Sequence, residues 1–326
     1  MSKSKYFDHD GVPTALAVRV LAERHAQRMA APTEFVDPAP PVQVDTLWRG
    51  LLRGGQARIL VVRATAAVQE AARKVQASAD VTQLLGELVV NTLLVRSTLS
   101  PDERLQIHIE HQGPAGKIAV DAWQAGGVRA YVAKPQAERR EFGFLIGAGT
   151  LHVSRSVGGR NYASTVTLDG DGIDDFVMNY LLESEQILSL VRSEVTVDHE
   201  GQVAHALGYL VQLMPEGNRD DIAKVLDNLK SIGPLGDGMS ADDPDGRLWA
   251  NAVFAGFKWD QVARESVAFL CRCSRDRMLS MLSSLPARDI AELAVGTTPL
   301  ELVCDYCLRK FEVKPAELRA LLAEPS

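Results

Sequence analysis

The sequence predicts an α+β fold in which an N-terminal antiparallel-sheet domain with packed helices is followed by a helical, metastable linker and a small C-terminal unit built around cysteines. Three observations predict it. Apolar residues recur at helical spacing between Ala66 and Ser97, the period switches to two from Leu105 to Ala133, and all the cysteines fall in two close pairs after Phe269. The chain divides accordingly into residues 1–44, 45–215, 216–268 and 269–326.

The first stretch, Thr14 to Met29, reads as an amphipathic helix with Leu16, Val20, Leu21 and Ala26 near one face, and Pro32, Pro38, Pro40 and Pro41 mark an extended linker after it. Arg58 to Arg63 is a β-rich run. Two helices follow over Ala66 to Ser97, broken near Ser78-Ala79-Asp80, with Leu84, Leu88, Leu93 and Leu94 facing the core.

Strands are expected over Leu105–Glu110, Lys117–Trp123 and Val128–Ala133, separated by Gly113-Pro114-Ala115-Gly116 and Gly126-Gly127. This is an antiparallel meander. A further hairpin pairs Thr150–Ser154 with Tyr162–Leu168 across Gly158-Gly159, a helix runs from about Ile173 to Leu190, and strands lie near Arg192–Val197 and Ala204–Gln212. Between Glu216 and Val267 the chain becomes charged and turn-rich around two helical pieces. Its apolar residues Val225, Leu226, Leu229, Phe254, Phe257, Trp259 and Phe269 need a partner surface, for which the sheet domain and the cysteine unit are available.

The apolar and charged fractions are those of an ordinary folded protein, and the formal net charge of −7 disfavours binding to a phosphate backbone. No apolar run approaches a membrane span, and Met1-Ser2-Lys3-Ser4-Lys5-Tyr6 lacks a signal-peptide apolar region, so the chain reads as cytoplasmic with no membrane or nucleic-acid partner. Catalysis has no evident home. The Gly113-x-x-Gly116 and Gly147/Gly149 spacings sit in hairpin contexts rather than between strand and helix, so they are not phosphate or dinucleotide loops.

Cys271-Arg272-Cys273 and Cys304-Asp305-Tyr306-Cys307 lie about thirty residues apart, and four thiolates so arranged can close one tetrahedral Zn²⁺ site. Four cysteines fill every position, which leaves none open for substrate. The segment between them reads as two short helices, with Leu279, Leu282 and Leu285 before Pro286, then Ile290, Leu293 and Leu300, forming the unit's core. So little apolar mass folds poorly alone, and structural zinc adds about 10–16 kcal/mol of apparent free energy at neutral pH.

Arg272, Arg275, Arg277, Arg309 and Lys310 surround the cysteines in sequence and would favour thiolates. A Cys304–Cys307 disulfide closes a relaxed ring, whereas one across Cys271 and Cys273 closes a smaller, more strained one, so the former is expected to form first. An inert zinc knuckle that only holds the C-terminus together is an equal reading of the same residues.

Phe269-Leu270-Cys271-Arg272-Cys273-Ser274-Arg275, Val303-Cys304-Asp305-Tyr306-Cys307 and the Phe311-Glu312-Val313 strand resemble the heat-shock protein 33 family of redox-regulated holdase chaperones. Tyr180, Ser184-Glu185-Gln186, Val128-Arg129-Ala130-Tyr131 and Gly208 to Pro215 extend the likeness over roughly residues 45 to 315. Ala130 and the Gly208-Tyr209 dipeptide depart from it, where glycine and a glycine pair are expected. The resemblance implies an N-terminal client-binding and dimerisation domain and a C-terminal zinc-binding redox switch. It further implies that Cys271 pairs with Cys273 and Cys304 with Cys307 on oxidation, that zinc is then lost, and that a homodimer binds unfolding client proteins.

Two other signals carry less. His108 and His111 lie three apart in a strand, on opposite faces, and so make a poor metal pair. Asp169, Asp171, Asp174 and Asp175 look like a calcium loop, but Ile173 stands where an oxygen is needed and they suit the start of a helix better. A zinc-ribbon interaction or nucleic-acid module is the alternative reading of the whole, resting on the basic residues around the cysteines; a dithiol oxidoreductase would need a thioredoxin-like setting that Cys304 lacks.

Overall fold

The computed structural model describes residues 44–53, 57–123, 126–139, 144–214, 219–238 and 246–323. The helix expected over Thr14–Met29 and the proline-rich stretch lie outside them. The chain forms two compact units, one ending at Phe269 and the other beginning at Leu270.

In the first unit the order is β1 (Thr46–Leu52), β2 (Ala57–Arg63), α1 (Thr65–Val75), α2 (Ala79–Arg96), β3 (Arg104–His111), β4 (Ile118–Trp123) and β5 (Gly127–Val132). Then come β6 (Gly149–Val157), β7 (Arg160–Thr167), α3 (Ile173–Glu183), β8 (Ser189–Val197), β9 (Val203–Leu213), α4 (Arg219–Ile232), α5 (Leu235–Gly238), α6 (Arg247–Val253), β10 (Trp259–Ser266) and β11 (Ala268–Phe269). One sheet runs β10-β1-β2-β9-β8, all antiparallel, and the other runs β11-β5-β4-β3-β6-β7, antiparallel except where β11 joins β5.

Helix α2 organises this unit. It is apolar on nearly every side, which suits a helix with no solvent face, and it packs against strands of both sheets. Ser78 starts it, its Oγ accepting from the Val81 N–H at 3.3 Å. The expected core residues Leu84, Leu88, Leu93 and Leu94 are all buried. Against it, β9 carries Gly208, where a Cβ would stand 2.3 Å from Val90 Cγ1, so only glycine allows the helix so close. Helix α1 is capped from a distance, since Ala64 has no side-chain oxygen and Asp45 Oδ2 accepts from the Ala67 N–H at 2.7 Å instead. Burial outweighs those backbone bonds and pushes the Asp45 carboxyl up to about 6.

The meander β3-β4-β5 and the hairpin β6-β7 stand where the period-two pattern puts them. Gly158 and Gly159 have φ of 55° and 77°, the left-handed pair that a two-residue hairpin turn needs. The helix expected to reach Leu190 stops at Glu183. Gln186 adopts φ 56° and the Ile187 N–H returns to Leu181 O, so the chain reverses and Ser189 onward becomes β8. Asp174 and Asp175 sit in the first turn of α3. Asp174 accepts from Ser193 N–H, Ser193 Oγ and Asn91 Nδ2, and Asp175 from the Asp171 N–H, so hydrogen bonds within the fold occupy both.

The charged, turn-rich segment builds a second layer on the outer face of the five-stranded sheet. Alternation along β2 sends Leu60 and Val62 inward and Ile59 and Val61 outward, and Tyr209 and Val211 of β9 join the outward row. Val225 and Ile232 of α4, Leu235 of α5, and Trp249, Val253 and Phe254 at α6 cover that row, with Tyr209 and Trp249 ring centroids 4.7 Å apart. Asn228 Nδ2 ties α4 to the end of α6 through Val253 O at 2.8 Å and Ala255 O at 3.1 Å. Glu194 of β8 accepts from the Leu235 and Gly236 N–H groups and meets His205 Nε2 at 2.9 Å.

The segment is not helical throughout. Trp259–Ser266 is a strand on the free edge of β1, in a register that shifts between Arg49 and Gly50. An unpaired edge with apolar Trp259 against it is better satisfied by a strand than by a helix, and Gly50 leaves room for the indole ring.

A four-cysteine candidate metal centre

Only Leu270 separates β11 from Cys271 in the chain. The second unit comprises α7 (Arg275–Ser283), α8 (Ala287–Leu293), the hairpin of β12 (Leu300–Val303) and β13 (Lys310–Val313), and α9 (Pro315–Ala323). Its buried core is Leu282, Ile290, Ala294, Val313 and Leu318. The two short helices stand as expected, but Leu285 and Leu293 are 38 % and 40 % exposed and lie outside that core. Pro286 caps α8, so Leu285 falls in the bend between helices, and Leu300 begins a strand rather than extending a helical face.

Each cysteine pair is shaped by its local backbone. Ser274 Oγ caps α7 by accepting from the Arg277 N–H at 3.3 Å, which places Cys273 immediately before a helix start. The hairpin turn brings the Cys307 and Leu308 N–H groups back to Cys304 O, with Leu308 at φ 55°. Backbone N–H groups point at sulfur in both: Cys273 donates to the Cys271 thiol, and Tyr306 and Cys307 donate to that of Cys304.

The four Sγ atoms lie within 4.8 Å of one another. Cys271 and Cys304 are 3.7 Å apart and Cys273 and Cys307 3.4 Å, so the close approaches run between the two pairs. Sulfurs at about 2.3 Å from one tetrahedral ion would be about 3.8 Å apart. The arrangement fits. Cys273 and Cys304 are buried, and Cys271 and Cys307 half-buried.

Electrostatics tells the same story. Burial raises the Cys271 thiol, but hydrogen bonds from the Cys273 N–H and the other thiols overcome it and bring it down to about 7. Burial and then the neighbouring sulfurs push Cys273 up; Cys304 is also pushed up, by burial above all, against its backbone bonds. The first thiolate therefore forms readily and later ones are opposed by charge, a conflict that a dication among the sulfurs removes. Three of the basic residues nearby in sequence are engaged with other groups: Arg275 with Glu317 at 2.6 Å, Lys310 with Glu301 at 2.9 Å, and Arg277 with Arg272 O at 2.7 Å. Backbone N–H groups are among the donors that reach the Cys271 and Cys304 sulfurs.

His108 and His111 do not come together. His108 stacks on His152 with centroids 4.5 Å apart, and His111 Nδ1 accepts from the Gly113 N–H at 2.8 Å. Among the described residues, Cys271, Cys273, Cys304 and Cys307 form the one cluster of three or more metal-ligating side chains. The backbone donors and the Ser274 cap were not singled out in the sequence; serine directly after the second cysteine and before a helical run was the available signal.

An α+β body followed by a small unit that converges four thiols defines a protein with a cysteine cluster that could hold a metal ion. Comparison with known proteins narrows this. The model of the Hsp33 protein family matches residues 45–314. The chain belongs to the Hsp33 family. It is 33 % identical over 295 residues to the 33 kDa chaperonin of a Thermus thermophilus strain, covering 85 % of this chain and 86 % of that one. It is 29 % identical over 289 residues to the 33 kDa chaperonin of a Geobacter species, covering 86 % and 97 %. The crystal structure of the 33 kDa chaperonin of Thermotoga maritima shares the fold, with a TM-score of 0.72 at 24 % identity over 86 % of this chain and 98 % of that one.

Proposed function

We propose that this protein is a redox-regulated holdase of the cytoplasm, inactive when reduced and active toward unfolding proteins when its cysteines are oxidised. The observation that carries the reading is the convergence of four sulfurs in a unit whose own core is small. Cys271, Cys273, Cys304 and Cys307 would hold one Zn²⁺, which when bound supplies folding free energy that five buried apolar residues do not.

Oxidation acts on the thiols. Two thiolates lose two electrons to a peroxide, which takes up two protons and leaves as water, and one disulfide forms; two such steps consume all four ligands. Pairing runs within each motif, Cys271 with Cys273 and Cys304 with Cys307, and the less strained Cys304–Cys307 bond forms first. Without ligating sulfurs the C-terminal unit loses its staple and unfolds. The layer of α4 to α6 on the outer sheet face is the next element to loosen, and Ile59, Val61, Tyr209 and Val211 beneath it are the apolar surface offered to clients. The active form is a homodimer.

Zinc content and suppression of aggregation of a denatured client, followed together on reduced protein and after hypochlorite or peroxide with mild heat, test this. Zinc loss and holdase activity should rise together and reverse with a dithiol reductant. Zinc loss without client binding, or full activity with zinc retained, sinks the switch.

A further inference from the structure

In the sheet body, a cavity of about 220 Å³ lies among β2, the end of α2, β6 and α3, lined by Arg58 and Arg155 together with Tyr180 and apolar Val95, Leu99 and Ile187. Both arginines are only partly engaged. Arg58 makes one hydrogen bond, Nε to Gln212 Oε1 at 2.6 Å, and among the described residues no carboxylate stands within ion-pair distance of it. Arg155 offers one N–H to Glu185 Oε2 at 3.3 Å, while the other oxygen of Glu185 accepts from Tyr180 OH at 2.5 Å.

An arginine held in a half-buried cavity without an anion is costly unless something else supplies one. Burial, and then the charge of Arg49, both pull Arg58 below its ordinary value. Its orientation is nonetheless fixed. Gln212 is 1 % exposed, its Nε2 donates to Ser189 Oγ at 2.9 Å, and Ser189 Oγ donates to Ile187 O at 3.2 Å. That chain holds the Arg58 Nε in place and leaves its terminal N–H groups uncommitted.

We propose that this cavity binds a small aliphatic carboxylate, whose oxygens take the uncommitted N–H groups of Arg58 and Arg155 while its short alkyl part lies against Val95, Leu99 and Ile187. A carboxylate matches the planar fork of a guanidinium. A doubly charged oxyanion fits less well, because Glu103 and Glu185 also line the cavity and the remaining wall is apolar. Glu103 Oε1 accepts from the Ser100 N–H at 3.1 Å, which turns that carboxylate toward its own loop rather than toward Arg58. The proposal is independent of the cysteine switch.

Calorimetric titration of the reduced full chain with sodium butyrate at fixed ionic strength, beside neutral butyramide and inorganic phosphate, tests it. Butyrate should bind at least about tenfold more tightly than butyramide and than phosphate, since only it pairs a single charge with an alkyl tail. Arg58→Gln should weaken butyrate by about tenfold or more, and Arg155→Gln by less, because that arginine already shares Glu185. Equal binding of butyrate and butyramide, tighter binding of phosphate, no butyrate binding, or an unchanged affinity in a folded Arg58→Gln chain would each overturn it. Should Arg58→Gln fail to fold, the butyrate-to-butyramide ratio of the unaltered chain decides.

Discussion

The layer that covers the outer sheet face and the C-terminal cysteine unit are held by different forces. In the layer, Trp249, Ala250, Ala252, Val253 and Phe254 are almost completely buried against β2 and β9, so apolar burial closes it. In the cysteine unit, burial stops at Leu282, Ile290, Ala294, Val313 and Leu318, and the four sulfurs stand where a further linkage is needed. One region should answer to side-chain volume and the other to thiol chemistry.

The largest effect should come from removing the thiol linkage. A strong chelator, or Cys304→Ser, should unfold residues 270–323 by removing on the order of 10–16 kcal/mol of apparent free energy, while amides of β2 and β9 keep their protection from hydrogen exchange. A C-terminal unit equally protected with and without chelator would erase the contrast. Next, Trp249→Ala should cost about 3–5 kcal/mol, confined to the layer. Proteolysis should then cut residues 219–257 faster, and the protein with its cysteines reduced should bind clients; unchanged cleavage would show that the layer is not held by this side chain.

A smaller loss is expected from Asn228→Ala, which leaves Val253 O and Ala255 O without their donor and should cost about 1–3 kcal/mol, read as a lower urea midpoint for opening of the layer. The smallest is Glu194→Gln, at about 1–2 kcal/mol, because the Leu235 and Gly236 N–H groups bond different oxygens of Glu194 and the single oxygen of the amide keeps only one of them. Burial raises the Glu194 carboxyl, but the His205 imidazole and those two N–H groups outweigh it and hold it below its ordinary value. A folded-state value below the unfolded one means that this contribution is present at neutral pH and is lost as pH falls through the carboxylate range. Urea midpoints taken from pH 6 to pH 3 should therefore fall more steeply for the unaltered chain than for Glu194→Gln, and parallel curves would remove Glu194 as a tether of the layer.

Much of the body could be read directly because its signals are local. The period-two runs became β3 to β7, and the apolar heptad-like run from Val81 to Val95 became the buried helix α2. The misread parts carried no local signal. Trp259–Ser266 is too polar to announce a strand and becomes one because the edge of β1 lacks a neighbour, and the helix after Ile173 ends early because Gln186 takes a left-handed turn that its side chain does not advertise. Of the candidate site, the four cysteines were legible from spacing alone, but the partners of Arg275, Arg277 and Lys310 beside them were not. Proximity in sequence says little about whether an arginine faces sulfur or, like Arg275, a carboxylate on another helix.

The sequence by itself determined most of the alternation of helix and strand, the identity of the four clustered cysteines and their division into two motifs, because each is encoded in spacings of a few residues. Only the tertiary structure decided which apolar face the charged segment covers, that Asp45, just before β1, caps a helix some twenty residues on, and that Arg58 meets no carboxylate among the described residues. Burial and charge compensation are properties of neighbours in space. The fold brings those neighbours together from positions scores of residues apart, such as Arg58 and Gln212, and no local pattern records the meeting.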